Sequence, residues 1–154
     1  MMPEVIGLFY GSDTGTTEYV TELILKKLIR TVQISAYDIG EHGLSELDNY
    51  AFLMLGLSTW FDGDLQSDWE ELFDTFKRIK FSGKKVAIYG VGDQIGYGEF
   101  FVDGIGILGK IVVENGGEII GYGQLKAMIL KLQRQNFYQV GLWGWPLMKI
   151  IKER

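Results

Sequence analysis

Apolar residues in the first part of the chain form a short unbroken run followed by a helical stripe. Val5 to Tyr10 is apolar without alternation, which is typical of a parallel strand covered on both faces. Thr16 to Ile29 repeats apolar residues at helical spacing, with Glu18 in the first turn, where a helix tolerates negative charge. The pattern predicts a buried strand that ends at Gly11 and leads into an amphipathic helix.

The same order of strand and helix continues to about Tyr122. The chain offers two more amphipathic helices, at Gln66 to Ile79 and at Phe100 to Val113. Its further strands are predicted at Thr31 to Ile39, Tyr50 to Leu57, Lys85 to Tyr89 and Glu118 to Tyr122. Five strands joined by right-handed helical crossovers predict an α/β fold, a three-layer doubly wound parallel sheet in one domain over residues 1–154. In such a sheet, ligands bind in the crevice beyond the carboxyl ends of the strands.

Composition limits the chemistry that this chain can perform. The absence of cysteine excludes disulfides, iron–sulfur clusters, thiolate zinc sites and cysteine-based catalysis, so redox chemistry would need a bound organic cofactor. His42, the only histidine, lies in a polar connection and is interpreted as a surface residue, not an acid–base catalyst. A formal charge of −5 disfavours nucleic acid and favours a partner with a basic face. We expect a cytoplasmic monomer, without a signal peptide or an integral membrane segment.

The loop after the first strand is rich in small and hydroxyl residues. Residues 11–18 read Gly-Ser-Asp-Thr-Gly-Thr-Thr-Glu and lead straight into a helix, whose first backbone amides attract anions. The hydroxyls of Ser12, Thr14, Thr16 and Thr17 can donate to phosphate oxygens. Because no lysine or arginine is nearby, the loop suits a single phosphate held by neutral donors better than a triphosphate. The same residues are also typical of a well-capped helix.

Two further loops follow strands at the same predicted edge of the sheet. Residues 57–69 contain Trp60, which can lie against one face of a flat ring system. Residues 90–100 contain four glycines, whose backbone can approach the edge of a heterocycle, and Tyr97, which can cover the other face. Either loop alone is consistent with ordinary packing. Together, the three loops predict a site for flavin mononucleotide (FMN).

Four motifs occur along the chain in a familiar order. They are Gly-Leu-Phe-Tyr-Gly-Ser-Asp-Thr-Gly-Thr-Thr-Glu at 7–18, Leu-Gln-Ser-Asp-Trp at 65–69, Gly-Asp-Gln-Ile-Gly-Tyr at 92–97 and Gly-Ile-Leu at 106–108. This set resembles the flavodoxin family, in its long-chain branch, up to about Tyr122. The resemblance implies a strand order of 2-1-3-4-5. It also implies non-covalently bound FMN that relays single electrons at low potential between redox partner proteins, a reductase donor and low-potential acceptor enzymes.

The resemblance also assigns roles to individual residues. It implies that residues 12–17 hold the phosphate, that Trp60 and Tyr97 sandwich the ring, and that Asp93 meets the pyrimidine edge. The peptides of residues 61–63 would change orientation when the flavin is reduced. The implied cofactor-binding residues are Ser12, Asp13, Thr14, Gly15, Thr16, Thr17, Ser58, Thr59, Trp60, Phe61, Asp62, Gly63, Gly92, Asp93 and Tyr97. Neither a catalytic constellation nor a metal site is implied.

Residues 123–154 form a tail that departs from the family pattern. Codon degeneracy permits a second reading frame, opened by one inserted nucleotide near Gly123, whose translation resembles the missing family ending. We therefore hypothesise a frameshift in the gene or its reading. If the tail is authentic, Leu125, Met128, Ile129 and Leu132 could form an apolar helical stripe against the sheet.

Two other functions share this pattern of strands and helices. An FMN-dependent NAD(P)H:quinone or azo-type reductase would need a substrate pocket over the flavin, whereas Trp60 and Tyr97 are predicted to close both faces. A phosphoacceptor signalling domain would need clustered acidic residues after the first strand, where Asp13 stands alone. An electron carrier that is not itself an enzyme is therefore the favoured interpretation.

Overall fold

In the computed structural model, five parallel strands form the centre of the protein. Strand β1 (Val5–Tyr10) lies between β2 (Gln33–Asp38) and β3 (Phe52–Trp60). Strand β5 (Lys85–Gly92) pairs with β3, and β6 (Glu118–Ile119) pairs with the start of β5. The spatial order β2-β1-β3-β5-β6 confirms the expected order 2-1-3-4-5. The structure describes residues 5–13, 15–28, 33–60, 64–92, 103–120 and 139–142.

Two short antiparallel strands join this sheet and were not predicted. Strand β4 (Asp64–Leu65) pairs with the end of β3. Strand β7 (Gln139–Leu142) pairs with Tyr89–Gly92, so the outer edge of β5 is shared between β6 at its start and β7 at its end. Four residues of the atypical tail thus belong to the sheet, while the frameshift hypothesis stays untested. The apolar stripe expected at 125–132 lies outside the described residues.

The three predicted helices are present, with one correction, and a short helix after β2 was not predicted. The single helix expected at Gln66 to Ile79 is wrong, because the backbone of Leu72 (φ −92°, ψ 5°) leaves the helical region and divides it in two. The Leu72 amide still donates to Asp68 O, and Phe76 N donates to Leu72 O, so the apolar stripe keeps one direction. The helices are α1 (Thr16–Leu28), α2 (Ile39–His42), α3 (Ser67–Glu71), α4 (Phe73–Lys77) and α5 (Asp103–Glu114), with a 3-10 turn at Ser45–Asn49.

Apolar side chains cover the sheet on both faces. Leu8 of β1 packs with Val20 and Ile24 of α1, whereas the next residue, Phe9, packs on the opposite face. That second face holds buried residues from four helices: Ile39, Trp69, Phe76, Leu108, Ile111 and Val112. Consecutive residues of β1 are therefore buried on opposite sides, which explains its unbroken apolar run and confirms a three-layer arrangement.

His42 lies at the end of α2 with an exposed imidazole, as expected for a surface residue. Its ring packs edge-on against Tyr37, with 5.8 Å between the ring centroids. Within the described part of the chain, no helix combines the length and the apolar character that spanning a membrane requires. The assignment of residues 1–154 to a single domain stays a prediction.

Candidate functional site

The three predicted site loops leave the sheet at one edge. Strands β1, β3 and β5 run parallel, so their carboxyl ends, at Tyr10, Trp60 and Gly92, point the same way. Gly11 N donates to Gly56 O at 3.0 Å, which fixes the start of the first loop against β3. The chain leaves β1 toward β2 on one side and leaves β3 toward β5 on the other. A crevice at such a change of direction is where open α/β sheets bind ligands.

The first loop is shaped by one hydroxyl and one glycine. Ser12 Oγ accepts hydrogen bonds from Gly15 N at 3.1 Å and from Glu18 N at 3.4 Å, and neither bond uses its own hydroxyl hydrogen. Gly15 has φ +88°, a conformation that L side chains rarely adopt. The first helical bond runs from Tyr19 N to Gly15 O, so the amides of Thr16 and Thr17 precede the helical ladder and can serve an anion.

Thr17 carries the feature that most directly indicates a ligand. Its side chain is 1% exposed, yet Oγ1 has no hydrogen-bond partner within the part of the chain that the structure describes. A buried hydroxyl left without a partner costs about 1–3 kcal/mol, so native proteins rarely keep one without a reason. The hydroxyl lies in the first turn of α1, where an anion would be held. The donor set therefore fits a phosphate group.

The carboxylate of Asp13 binds within the protein. It accepts from Ser67 Oγ at 2.5 Å, from Gln66 Nε2 at 2.9 Å and from Ser67 N at 3.3 Å. These bonds join the first loop to the turn that starts α3. A carboxylate would repel a bound phosphate, but this one accepts hydrogen bonds from the turn before α3 and so connects the two loops. We call the pair of residues the Asp13–Ser67 latch. That Asp13 belongs to the cofactor site stays a prediction.

We expect the Asp13–Ser67 latch to appear as an energetic coupling. In a double-mutant cycle of Asp13→Ala and Ser67→Ala, the double variant should lose about 1 kcal/mol less unfolding free energy than the sum of the losses in the two single variants. Urea unfolding of the four proteins measures this term. The matched control pairs Ser67→Ala with Asp74→Ala, an exposed carboxylate that contacts Lys77, and these losses should add. Additive losses in the first cycle would show that the latch contributes no stability.

Gln66 and Trp69 hold the first loop through hydrogen bonds to Asp13 and to the β3 residue beside the loop, and they were not predicted as site residues. Gln66 is completely buried, and its Nε2 donates both to Asp13 and to Asp68 Oδ2 at 2.7 Å. A Cβ on Gly11 would lie 2.0 Å from Gln66 Oε1, so a larger residue there would displace the Gln66 amide from its hydrogen bonds. Trp69 Nε1 donates to Gly56 O at 2.9 Å, on the carbonyl that also receives Gly11 N. Their sequence signals were the motif at 65–69 and the amphipathic helix predicted at Gln66 to Ile79, neither of which assigns a role at the loop.

The residues predicted to surround the ring are described only in part. Trp60 pairs with Asp64 of β4, so strand pairing holds both ends of the connection at 61–63. Ser58 and Thr59 belong to the same strand end, and Gly92 closes β5. The structure thus places the backbone of these four predicted residues at the crevice edge. The remaining predicted residues Thr14, Phe61, Asp62, Gly63, Asp93 and Tyr97 lie outside the described residues, so their roles stay predictions.

The edge of the sheet around the first loop is acidic. The pKa of Tyr10, at the end of β1, is raised first by burial and then by the carboxylates of Asp38, Glu18, Glu41 and Glu22. A negative field therefore reaches the strand end beside the first loop. Among the described residues, no group of three or more metal-binding side chains occurs.

Comparison with known proteins identifies the family. The family model described as flavodoxin matches residues 8–137. This chain belongs to the flavodoxin family. The match runs past Tyr122 into the tail, while the alignments with individual flavodoxins are shorter. A flavodoxin from a Nostoc species is 43% identical over 121 residues, 79% of this chain and 71% of that protein. Flavodoxin 1 from Escherichia coli is 40% identical over 118 residues, 77% of this chain and 66% of that protein.

Solved flavodoxin structures share the same fold. The structure of Fusobacterium nucleatum flavodoxin bound to flavin mononucleotide has a TM-score of 0.71 and 31% identity, covering 77% of this chain and 70% of that one. Oxidised flavodoxin 1 from Bacillus cereus has a TM-score of 0.68 and 28% identity, covering 76% and 80%. Flavodoxins are among the proteins that established the general rule that open α/β sheets bind ligands where the strand order reverses.

Proposed function

We propose that this flavodoxin-family chain binds FMN without a covalent bond and carries single electrons between partner proteins. The observation that carries the proposal is the buried, unpartnered hydroxyl of Thr17 in a loop that has hydroxyls and amides but no basic side chain. The FMN-bound relative from Fusobacterium nucleatum supports the same cofactor. When bound, FMN accepts and releases electrons one at a time.

Each part of the flavin would meet a different loop. Ser12, Thr14, Thr16 and Thr17, with the backbone around Gly15, would hold the phosphate by neutral donors and by the start of α1. The ring would lie at the strand ends, between Trp60 and Tyr97. Residues 58–63 and the backbone from Gly92 to Asp93 would line its edges. These ring contacts rest on the family resemblance and on the position of the strand ends.

The distribution of charge favours a low potential and a basic docking face on each partner. Acidic side chains lie in the first turns of α1, α2 and α3, which begin near the carboxyl edge of the sheet, whereas Lys84 and Lys85 lie at the opposite edge, where β5 begins. Negative charge around the flavin disfavours adding more charge to it, which lowers the potential of the second reduction. A partner with a basic face would be steered toward the flavin edge. A cytoplasmic location and a monomeric state stay predictions from the sequence.

The competing function is an FMN-dependent NAD(P)H:quinone or azo-type reductase on the same fold. Membership of the flavodoxin family favours a carrier over an enzyme. A reductase would oxidise NAD(P)H steadily when the isolated holoprotein is given a quinone or an azo dye, whereas a carrier needs a separate reductase for turnover.

Flavin binding by the purified full chain provides the first test. We expect the apoprotein to quench the fluorescence of added FMN at one flavin per chain and to lower the second reduction potential below that of free FMN. A fluorescence titration followed by spectroelectrochemistry measures both. Folded protein that leaves FMN fluorescence unchanged would overturn the proposed cofactor, and steady NAD(P)H oxidation would favour the reductase.

A further inference from the structure

A chain of three hydroxyl and carbonyl groups links strand β5 to the first turn of α1. Tyr89 Oη lies 2.5 Å from Thr21 Oγ1, and Thr21 Oγ1 donates to Thr17 O at 2.7 Å. Tyr89 is 0% exposed, while Thr17 and Thr21 are each 1% exposed. The link therefore runs through a dry layer between α1 and the sheet, and it ends on the residue whose hydroxyl is unpartnered.

The direction of both hydrogen bonds follows from counting protons. A threonine hydroxyl has one hydrogen, and Thr21 gives it to the Thr17 carbonyl because that carbonyl can only accept. Tyr89 must therefore donate to Thr21. Burial raises the pKa of Tyr89 well above its ordinary value, so the phenol keeps its proton near neutral pH.

Packing against β3 also positions the ring of Tyr89. It lies across Gly56, where an added Cβ would come within 2.3 Å of Cζ, so the missing side chain of Gly56 makes room for it. The Gly56 carbonyl also receives Gly11 N, the amide at which the first loop starts. One aromatic side chain thus packs on the β3 residue that anchors the start of the loop and also bonds to the helix that follows the loop.

We infer that Tyr89 and Thr21 are positioning residues for the phosphate of FMN. Their hydroxyl pair holds the Thr17 carbonyl, and with it the first turn of α1, so that the buried Thr17 hydroxyl and the amides of Thr16 and Thr17, which precede the helical ladder, face the anion. This inference rests on the proposed function and deepens it. Tyr89 lies on β5, the strand that ends at Gly92, so the link to α1 starts from a strand that leads to the predicted ring end of the site.

A comparison of FMN with riboflavin tests the inference, because riboflavin carries the same ring without a phosphate. In Tyr89→Phe, which removes only the hydroxyl, we expect the Kd for FMN to rise about threefold to tenfold, while the Kd for riboflavin stays within about twofold. Thr21→Val should show the same selective loss, and Thr21→Ser, which keeps the hydroxyl, should bind FMN like the parent protein. Fluorescence titration of each folded apoprotein measures both constants.

Tyr50→Phe is the matched control. It removes one hydroxyl from another bonded pair, Tyr37–Tyr50, also 2.5 Å apart, but on the opposite face of the sheet. Its ratio of FMN to riboflavin affinity should equal that of the parent protein. Equal losses for both flavins in Tyr89→Phe, or a fall in melting temperature without a change in that ratio, would show a merely structural role and overturn the inference. Failure of the parent protein to bind FMN would instead overturn the proposed function.

Discussion

Thr17→Val is expected to bind FMN about tenfold to a hundredfold more weakly than the parent protein, since a hydrogen bond to a charged group contributes about 1.5–3 kcal/mol. Valine keeps the branched shape of threonine and replaces only the hydroxyl. That hydroxyl is buried and lacks a partner among the described residues, so its removal takes nothing from the apoprotein. The unfolding free energy without flavin should therefore stay the same or rise by up to about 1 kcal/mol. Flavin titration and urea unfolding of the same preparations measure both effects.

Thr17→Val is expected to weaken FMN binding without lowering the stability of the apoprotein, and this combination distinguishes a ligand contact from a structural role. Thr17→Ser keeps the hydroxyl and should retain most of the FMN affinity, and riboflavin affinity should hardly change in either variant. A Thr17→Val protein that loses more than about 1 kcal/mol of apoprotein stability would show that the hydroxyl has a partner inside the protein. Unchanged FMN affinity would remove Thr17 from the phosphate site.

Trp69→Ala should lower the unfolding free energy by about 3–5 kcal/mol, the largest stability effect that we expect for a single substitution here. Trp69 is 0% exposed and packs edge-on against Phe76, with 5.5 Å between ring centroids. Its Nε1 also donates to Gly56 O beneath the first loop, so alanine would leave a cavity and remove a hydrogen bond together. Chemical denaturation followed by circular dichroism gives the free energy.

A second substitution at Trp69 and a control at an exposed position complete this test. Trp69→Phe retains much of the packing and should cost clearly less than alanine, even if the alanine variant proves too unstable to purify. Val113→Ala, at a side chain that is 52% exposed on α5, should change stability by less than about 0.5 kcal/mol. A loss below about 1 kcal/mol in Trp69→Ala would contradict the central position of Trp69 in the core.

The candidate site could be predicted from the sequence where its residues follow one another along the chain. The loop at 11–18 was recognisable because small residues, hydroxyls and a helix start occur together there. Its supports could not be found in this way, since Gln66, Trp69 and Tyr89 are distant in sequence and contact the loop, or the Gly56 and Thr21 residues that flank it in space, only in the folded protein. Asp13 illustrates the same limit. Its position suggested the phosphate site, but the bonds from Ser67 and Gln66 decide where its carboxylate points.

By itself, the sequence determined the five parallel strands, the helical segments that follow β1, β4 and β5, and the edge where the loops meet. Those features follow from local periodicity and from the chirality of the crossovers, both of which are written in consecutive residues. Only the tertiary structure decided the break at Leu72, the edge strands β4 and β7, and the Tyr89–Thr21–Thr17 link. These depend on which partner each backbone or buried hydroxyl group finds after the chain has packed, and distant residues supply those partners.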